Sequence, residues 1–416
     1  MEPVRVVDPV SPTNPIPIEF RKSKTIEHPG VIIDPAKPNK IVEKEEINEL
    51  KPETKTQNTF FKLKTYGGKC DILTTVKKEI KYQIDCLKKK DHNKTEGCTR
   101  KFKKPVVSTN SFGVIKSFGI NSFTGFYKKH NEDRVSVVLN IPRPKSSNKP
   151  WPHHLSYFAL FDGHSGNECC DFLINNFHKF LIKSTHFPED IVQSLKDAVE
   201  KSETEFLTTV AVSKSNEIQN KSGSCALVTI IADNMCYIAN VGDSRAILSS
   251  LNGKQMYQIT HDHKPNEKKE KRRIHANGGV VYKANSVYRV IPGDLSVSRT
   301  IGDAEVKIPF LGGKEGVVVS TPEIVKFRID EKYDFLLLGC DGIFDRTENG
   351  EIVKEIWSTL DDKNSIGETI HEQSGKSVDN VIKLALKQRS TDNLSAIIIC
   401  FNSFEKAFIN RKNDNY

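Results

Sequence analysis

Ser224-Cys225-Ala226-Leu227-Val228-Thr229-Ile230-Ile231-Ala232 is followed closely by Cys236-Tyr237-Ile238-Ala239-Asn240-Val241 and then by Ala246-Ile247-Leu248. Each run is short, apolar and well supplied with β-branched residues, which is the pattern of buried strands. Gly242-Asp243-Ser244-Arg245 separates the second run from the third and reads as a hairpin turn. Working outward, strand-like runs with turn signals begin at about residue 108 and arrive in meanders. Helical periodicity falls at about 166–183, 189–211, 266–277, 349–358 and 376–388, in pairs between groups of strands. That order predicts an α+β fold with antiparallel sheets rather than a parallel βαβ array, and it contains no internal repeat.

Three of the apolar runs carry an aspartate at one end. Tyr157–Phe161 runs into Asp162-Gly163-His164, Phe335–Cys340 runs into Asp341-Gly342, and Asp392-Asn393 opens into Leu394–Cys400. A buried carboxylate is costly unless it is paired or bound to a metal. Three of them on three core strands therefore predict a cluster of hard oxygen ligands for a divalent cation. Asn131-Glu132-Asp133-Arg134 adds two acids, although alone it reads as a charged strand start. Such an oxygen-rich set suits Mg²⁺ or Mn²⁺. It holds too many acids for one ion, which suggests two ions about 4 Å apart sharing a bridging carboxylate and an activated water. Gly163 lets a backbone carbonyl approach a cation closely. His164, two residues past Asp162, is well placed to give a proton to a leaving group.

Ten motifs in order resemble the metal-dependent serine/threonine phosphatases, protein phosphatase type 2C. They are NEDRV (131–135), FDGHSG (161–166), SGSCALV (222–228), ANVGDSRA (239–246), THDHKP (260–265), RI-x-x-x-GG-x-V (273–281), LSVSRTIGD (295–303), TPE (321–323), GCDGIFD (339–345) and STDNLS (390–395). The resemblance covers about residues 108–403. It implies a four-layer α-β-β-α sandwich, two antiparallel sheets flanked by helices, with the metal cleft at one end. It also implies that Asp162 bridges two metal ions. Glu132 and the Gly163 carbonyl complete one ion, with Asp133 in or near its shell, and Asp341 and Asp392 hold the other. Asp243 resembles the residue at a looser third metal position. His164 is then the general acid toward a Ser or Thr leaving oxygen, water is the nucleophile, and no phosphoenzyme forms. Two positions depart from the family pattern. Lys128 stands where an Arg commonly clamps the phosphate, replacing a planar fork with a point charge. Cys225 stands where Thr is usual, which reads as a packing change.

The net charge of +9 is unevenly placed. Residues 51–105 hold 16 Lys and Arg against 6 Asp and Glu, while residues 106–416 hold 39 against 38. Residues 1–105 read as a Pro-rich, basic extension, largely disordered, with an amphipathic helix at 71–90. The catalytic domain is expected at 106–403 and a polar tail at 404–416. The basic block at 51–105 suits an acidic partner with salt-sensitive affinity. Nucleic acid is disfavoured because stacking aromatics are sparse there. Lys264 to Arg273 read as a charged helix face beside the cleft.

No run of 18 apolar residues is present, so no membrane span is expected. The N-terminus lacks an apolar signal core. The nine cysteines read as buried hydrophobes in a reducing compartment, so an intracellular, cytoplasmic or nuclear monomer is expected. Zinc binding by Cys70, Cys86, His92 and Cys98 has no C-x-x-C pair to support it. The leading expectation is hydrolysis of phosphoserine and phosphothreonine in proteins. A non-catalytic pseudophosphatase scaffold, motivated by Lys128 and the basic extension, is the alternative, although a scaffold need not keep the full acid set. A divalent-metal nuclease would want basic residues around the cleft, and the charge excess lies elsewhere.

Overall fold

A computed structural model describes residues 5–6, 102–145, 147–210, 220–361 and 368–414. In chain order its elements are β1 (Arg5–Val6), β2 (Val106–Val107), β3 (Ser117–Phe123), β4 (Arg134–Val138), β5 (Leu155–His164), α1 (Glu168–Lys183), α2 (Ile191–Val210), β6 (Gly223–Ala232), β7 (Met235–Val241), β8 (Arg245–Ser250) and β9 (Gln255–Gln258). They continue with α3 (Lys268–Ala276), β10 (Val280–Ala284), β11 (Val287–Ile291), β12 (Ile301–Gly302), α4 (Ala304–Lys307), β13 (Glu323–Arg328), β14 (Tyr333–Gly339), α5 (Asp341–Phe344), α6 (Asn349–Ser358), α7 (Ile370–Lys387), β15 (Leu394–Cys400) and α8 (Asn402–Asp414).

Beside a separate β10–β11 ribbon, the strands form two main sheets. One runs β1-β13-β7-β6-β5-β4, with β12 also on β6, and the other runs β2-β3-β15-β14-β8-β9. All pairings are antiparallel except that of β1 with β13. The two-residue alternation of β5 explains the layering. Phe158 and Leu160 face the core shared with the second sheet, while Tyr157, Ala159 and Phe161 face outward under α1 and α2. On the far side, Val378, Val381, Ile382 and Ala385 of α7 cover the second sheet. This is the expected four-layer α-β-β-α sandwich. α7 begins with a capping box, in which Thr369 Oγ1 accepts from the Glu372 N–H and Glu372 Oε2 accepts from the Thr369 N–H.

Two local expectations are corrected. Gly242–Arg245 is not a hairpin, because β7 pairs with β6 and β13 while β8 pairs with β14 and β9. The turn carries the chain from one sheet to the other, and the true hairpin is β6–β7, closing at Ala232 opposite Met235. The polar tail is instead α8, whose composition hides an apolar stripe. Phe404 is fully buried, its ring 5.6 Å from Phe335 and 5.3 Å from Trp357. Within the Pro-rich N-terminal stretch, Arg5–Val6 adds an edge strand to β13, a position where flanking prolines are tolerated. The helix expected at 71–90 and the cysteines of the weighed zinc site lie outside the described residues.

Candidate metal centre

The strand ends that carry acids converge at one end of the sandwich. Asp162 lies on β5 opposite Cys225 of β6. Asp341 begins α5 immediately after β14, and its N–H points at Asp162 Oδ2 at 3.4 Å. Gly163 has no room for a side chain, since a Cβ would meet the Glu132 carbonyl oxygen at 2.6 Å and Cys170 Sγ at 2.7 Å. The close approach holds β5 against the Glu132 backbone. Glu132 is fixed at both ends: its N–H donates to Asn393 Oδ1 at 2.9 Å, and its Oε1 accepts from the Gly166 N–H at 2.8 Å.

Mutual repulsion and burial dominate the electrostatics. Burial pushes the Asp162 carboxyl well above its ordinary range, and Asp341, Asp133, Asp243 and Asp392 push it further. Burial does the same to Asp341, with Asp243, Asp345 and Asp392 adding and Lys264 opposing. Asp133 is 4% exposed and is pushed up to about 6, chiefly by burial. Neither of its oxygens completes a hydrogen bond of ordinary geometry, although Ser395 and Cys340 lie close enough to favour the charged form. Buried carboxylates short of donors and crowded by like charges fit a divalent cation held by oxygen.

Two lysines meet part of this charge. Lys264 Nζ donates to Asp243 Oδ2 at 2.7 Å and to Asp345 Oδ1 at 3.2 Å. Burial would push the Asp243 carboxyl up, but Lys264 outweighs it and holds the group below its usual range. Lys128 Nζ lies 2.7 Å from Asp392 Oδ1. Burial works against its charge, but Asp392, Glu132 and Asp341 outweigh burial and raise it.

His164 points at Asp303, its Nε2 lying 2.9 Å and 3.0 Å from the two carboxylate oxygens. Burial alone would push the imidazole down, but Asp303 outweighs it, and the ring stands above its ordinary value. Asp303 is itself buried and held below its usual range, because His164 outweighs the cost of burial.

All nine residues expected from the sequence lie in this region. Asp162 shares its electrostatic field with Asp133, Asp243, Asp341 and Asp392. Their contacts differ. Among the described residues the tight group of ligating atoms, all within 4.8 Å of one another, is Asp162, Cys225 and Asp243, while Asp392 is held by Lys128. Sequence reasoning missed Asp303 and Lys264 as parts of the centre. Both lay inside quoted motifs, LSVSRTIGD and THDHKP, but carried no assigned role. Cys225 is more than packing: its Sγ lies 3.3 Å from Asp243 Oδ1, and a Cβ at Gly242 (φ 111°) would meet the Cys225 Cβ at 2.6 Å. Burial, with Asp243 and Asp162 adding to it, keeps that thiol well above its ordinary value. The charged segment 264–273 is partly internal: Lys264, Glu270 and Arg273 point inward, while Lys268, Lys269, Lys271 and Arg272 are exposed.

Sandwich and acid cluster together define a class of proteins with a divalent-cation centre between two antiparallel sheets. The chain belongs to the protein phosphatase 2C family, whose sequence pattern matches residues 122–394. It is 32% identical over 248 residues to "Probable protein phosphatase 2C 57" of Oryza sativa subsp. japonica, covering 60% of this chain and 62% of that one. It is 34% identical over 241 residues to "Protein phosphatase 2C homolog 2" of Hypocrea jecorina, covering 57% and 52%. The chain thus spans little more than half the length of these curated relatives. Among solved structures, a phosphatase from Toxoplasma gondii has the same fold, with TM-score 0.57 at 20% identity over 72% of this chain and 96% of that one.

Proposed function

We propose that this chain is a Mg²⁺- or Mn²⁺-dependent phosphatase that hydrolyses phosphoserine and phosphothreonine in proteins. The observation that carries the reading is the convergence of Asp162, Asp341, Asp133, Asp243 and Asp392 in one electrostatic field, with Asp162 pushed up by burial and by Asp341, and Asp341 by burial and by Asp243. In the arrangement the family suggests, Asp162, Glu132, the Gly163 carbonyl and Asp133 would hold one ion, and Asp162, Asp341 and Asp392 would hold a second. Asp243 would serve a weaker third. When bound, such ions supply an activated water and neutralise phosphoryl charge.

The remaining work falls to the chain's own side chains. Lys128 at the mouth offers a point charge to the phosphate in place of a two-pronged grip. His164, whose imidazole Asp303 raises above its ordinary value against the pull of burial, is poised to hand a proton to the departing Ser or Thr oxygen. Asp303 orients the ring and is not itself consumed. None of the cysteines is needed. The six cysteines among the described residues are free and buried, which supports a reducing intracellular setting, cytoplasmic or nuclear. No helix among the described residues is long and apolar enough to cross a membrane. The basic block at 51–105 is proposed to dock an acidic partner.

The test is phosphate release from a phosphothreonine peptide by the full chain, with and without Mn²⁺ or Mg²⁺, beside Asp341→Asn. Metal-dependent release that the folded variant lacks is the expected result. Equal turnover by Asp341→Asn removes the two-ion assignment. No release with either ion makes the scaffold reading the leading one.

A further inference from the structure

Phe126 is 55% exposed and Tyr127 is 73% exposed, and they stand side by side in the loop that leads to Lys128. A single exposed apolar side chain is common on a protein surface, whereas a contiguous group calls for an explanation. Here the group has a base. Phe123 ends β3 and is buried, and two rings rest on it. Phe102 stacks on it with centroids 4.5 Å apart and 11° between the planes, and Phe126 meets it edge-on at 5.4 Å. Phe102 is exposed as well. Rings packed in this way form an aromatic shelf with solvent on its outer side.

The shelf stands beside the metal centre and is tied to it. Phe123 pairs with Leu394 of β15, two residues past Asp392. Asn393 Nδ2 donates to the Thr124 carbonyl at 2.8 Å and to the His130 carbonyl at 3.1 Å, so one side chain clasps both ends of the 124–130 loop. Between them Gly125 takes φ 77°, and a Cβ there would collide with the Asp392 carbonyl oxygen. From the same loop Lys128 Nζ reaches Asp392 Oδ1 at 2.7 Å. A loop clasped like this loses little conformational entropy when its aromatic side chains are covered, which favours binding. The surface is also one-sided in charge: no Asp or Glu occurs from Phe102 to Asn131, while Lys104 and Lys129 are exposed.

We propose that Phe102, Phe126 and Tyr127 take an apolar side chain of the substrate, an aromatic one best, close in sequence to the phosphorylated Ser or Thr. The inference rests on the phosphatase reading above and narrows its substrate class. Residues of an extended peptide follow one another at about 3.3 Å. Tyr127 adjoins Lys128, so with the phosphate at Lys128 a side chain within about three residues of the phosphorylated one reaches the shelf. The shelf touches the substrate away from the reacting atoms. It therefore acts on the choice of peptide and not on the bond broken. Lys104 and Lys129 favour acidic over basic residues in the same peptide. An anionic lipid surface would also meet aromatic and lysine side chains. The clasp through Asn393 and the contact of Lys128 with Asp392 aim the loop at the metal centre and favour the substrate.

The experiment measures Mn²⁺-dependent kcat/KM of the full chain on phosphothreonine peptides of Gly and Ser. Each carries a single Phe, Leu, Glu or Lys at one position within about three residues of the phosphothreonine. Phe at the position that meets the shelf is expected to raise kcat/KM about 10-fold over the plain peptide. Phe126→Ala and Tyr127→Ser are each expected to cut that gain by about 3-fold or more. Both should leave hydrolysis of a small aryl phosphate, which has no flanking residue, unchanged. Equal rates for all the peptides overturn the proposal, as does a gain from Phe that both variants keep. Equal losses on peptide and aryl phosphate show that the rings only support the fold of the centre, and overturn it too. Vesicles of phosphatidylserine and phosphatidylcholine that bind wild type but neither variant, with no peptide preference, assign the shelf to a membrane surface instead. Release from the peptides without preference sinks this inference alone. No release from any peptide with either ion sinks the phosphatase reading and this inference with it.

Discussion

Replacing Glu270 by Gln tests whether one buried carboxylate holds the segment beside the metal centre. Glu270 is on α3 and is 3% exposed. Its carboxylate accepts from Arg299 Nη2 at 2.6 Å, from Arg299 Nε at 3.1 Å, from Ser298 Oγ at 2.6 Å and from Arg273 Nη1 at 2.5 Å. Arg299 is 4% exposed and also donates to the Thr321 carbonyl at 2.9 Å, so the network ties α3 to the strand-rich body. Burial pushes the Glu270 carboxyl up, but Arg299, Arg273 and Ser298 outweigh it and hold it at about 2, against an ordinary 4.5. That difference corresponds to roughly 3 kcal/mol of folded-state preference for the carboxylate. Removing one partner of a buried pair independently suggests about 3–5 kcal/mol, because the buried Arg299 loses its carboxylate. Gln keeps the shape and one acceptor, so a loss of about 3 kcal/mol near neutral pH is expected.

The pH dependence separates charge from shape. A depressed carboxyl contributes fully above its unfolded-state value and loses that contribution as pH falls through its folded-state value. The stability difference between wild type and Glu270→Gln should therefore be flat from about pH 7 to about pH 5 and shrink between about pH 4.5 and about pH 2. Chemical denaturation of both proteins across that range measures it. A difference under about 1 kcal/mol at neutral pH, or one that stays constant down to about pH 3, refutes the reasoning.

Three further outcomes are expected. Asp303→Asn should lower kcat on the phosphothreonine peptide by about 10²–10⁴-fold, and far less on an aryl phosphate whose leaving group needs no proton; equal losses on both would show that Asp303 does not act through proton transfer by His164. Lys128→Arg restores a planar fork and should lower KM for the phosphopeptide with kcat little changed, and an unaltered KM would remove Lys128 from phosphate binding. Gly163→Ala drives a Cβ to 2.6 Å from the Glu132 carbonyl and should cost about 1–3 kcal/mol in a denaturation series along with Mn²⁺-dependent turnover, and a stable, active variant would disprove the close approach.

The acids were legible because each is announced locally, by a strand that must be buried and an aspartate that ends it. Asp162, Asp341 and Asp392 need no knowledge of the rest of the chain to be noticed. The turn at Gly242–Arg245 was misread for the same reason. Its residues favour a tight reversal, and nothing local says whether the next strand rejoins the same sheet or crosses to the other. α8 was missed because its mean character is polar and the stripe that counts is a few phenylalanines. Asp303 and Lys264 are separated by 139 and 21 residues from the groups they serve, His164 and Asp243. No spacing rule reaches that far.

Charge balance in the centre could be judged only after folding. The sequence displays the carboxylates but not how many cations fold in with them. Lys264 sits on Asp243 and Asp345, and Lys128 on Asp392. Asp162, Asp341 and Asp133 then remain crowded by like charge, with Asp162 and Asp341 driven toward protonation. A protein that needed those acids only for stability would pair them or replace them with apolar residues at little cost. A centre left short of positive charge on rigid strand ends is better explained by ions that arrive from solution.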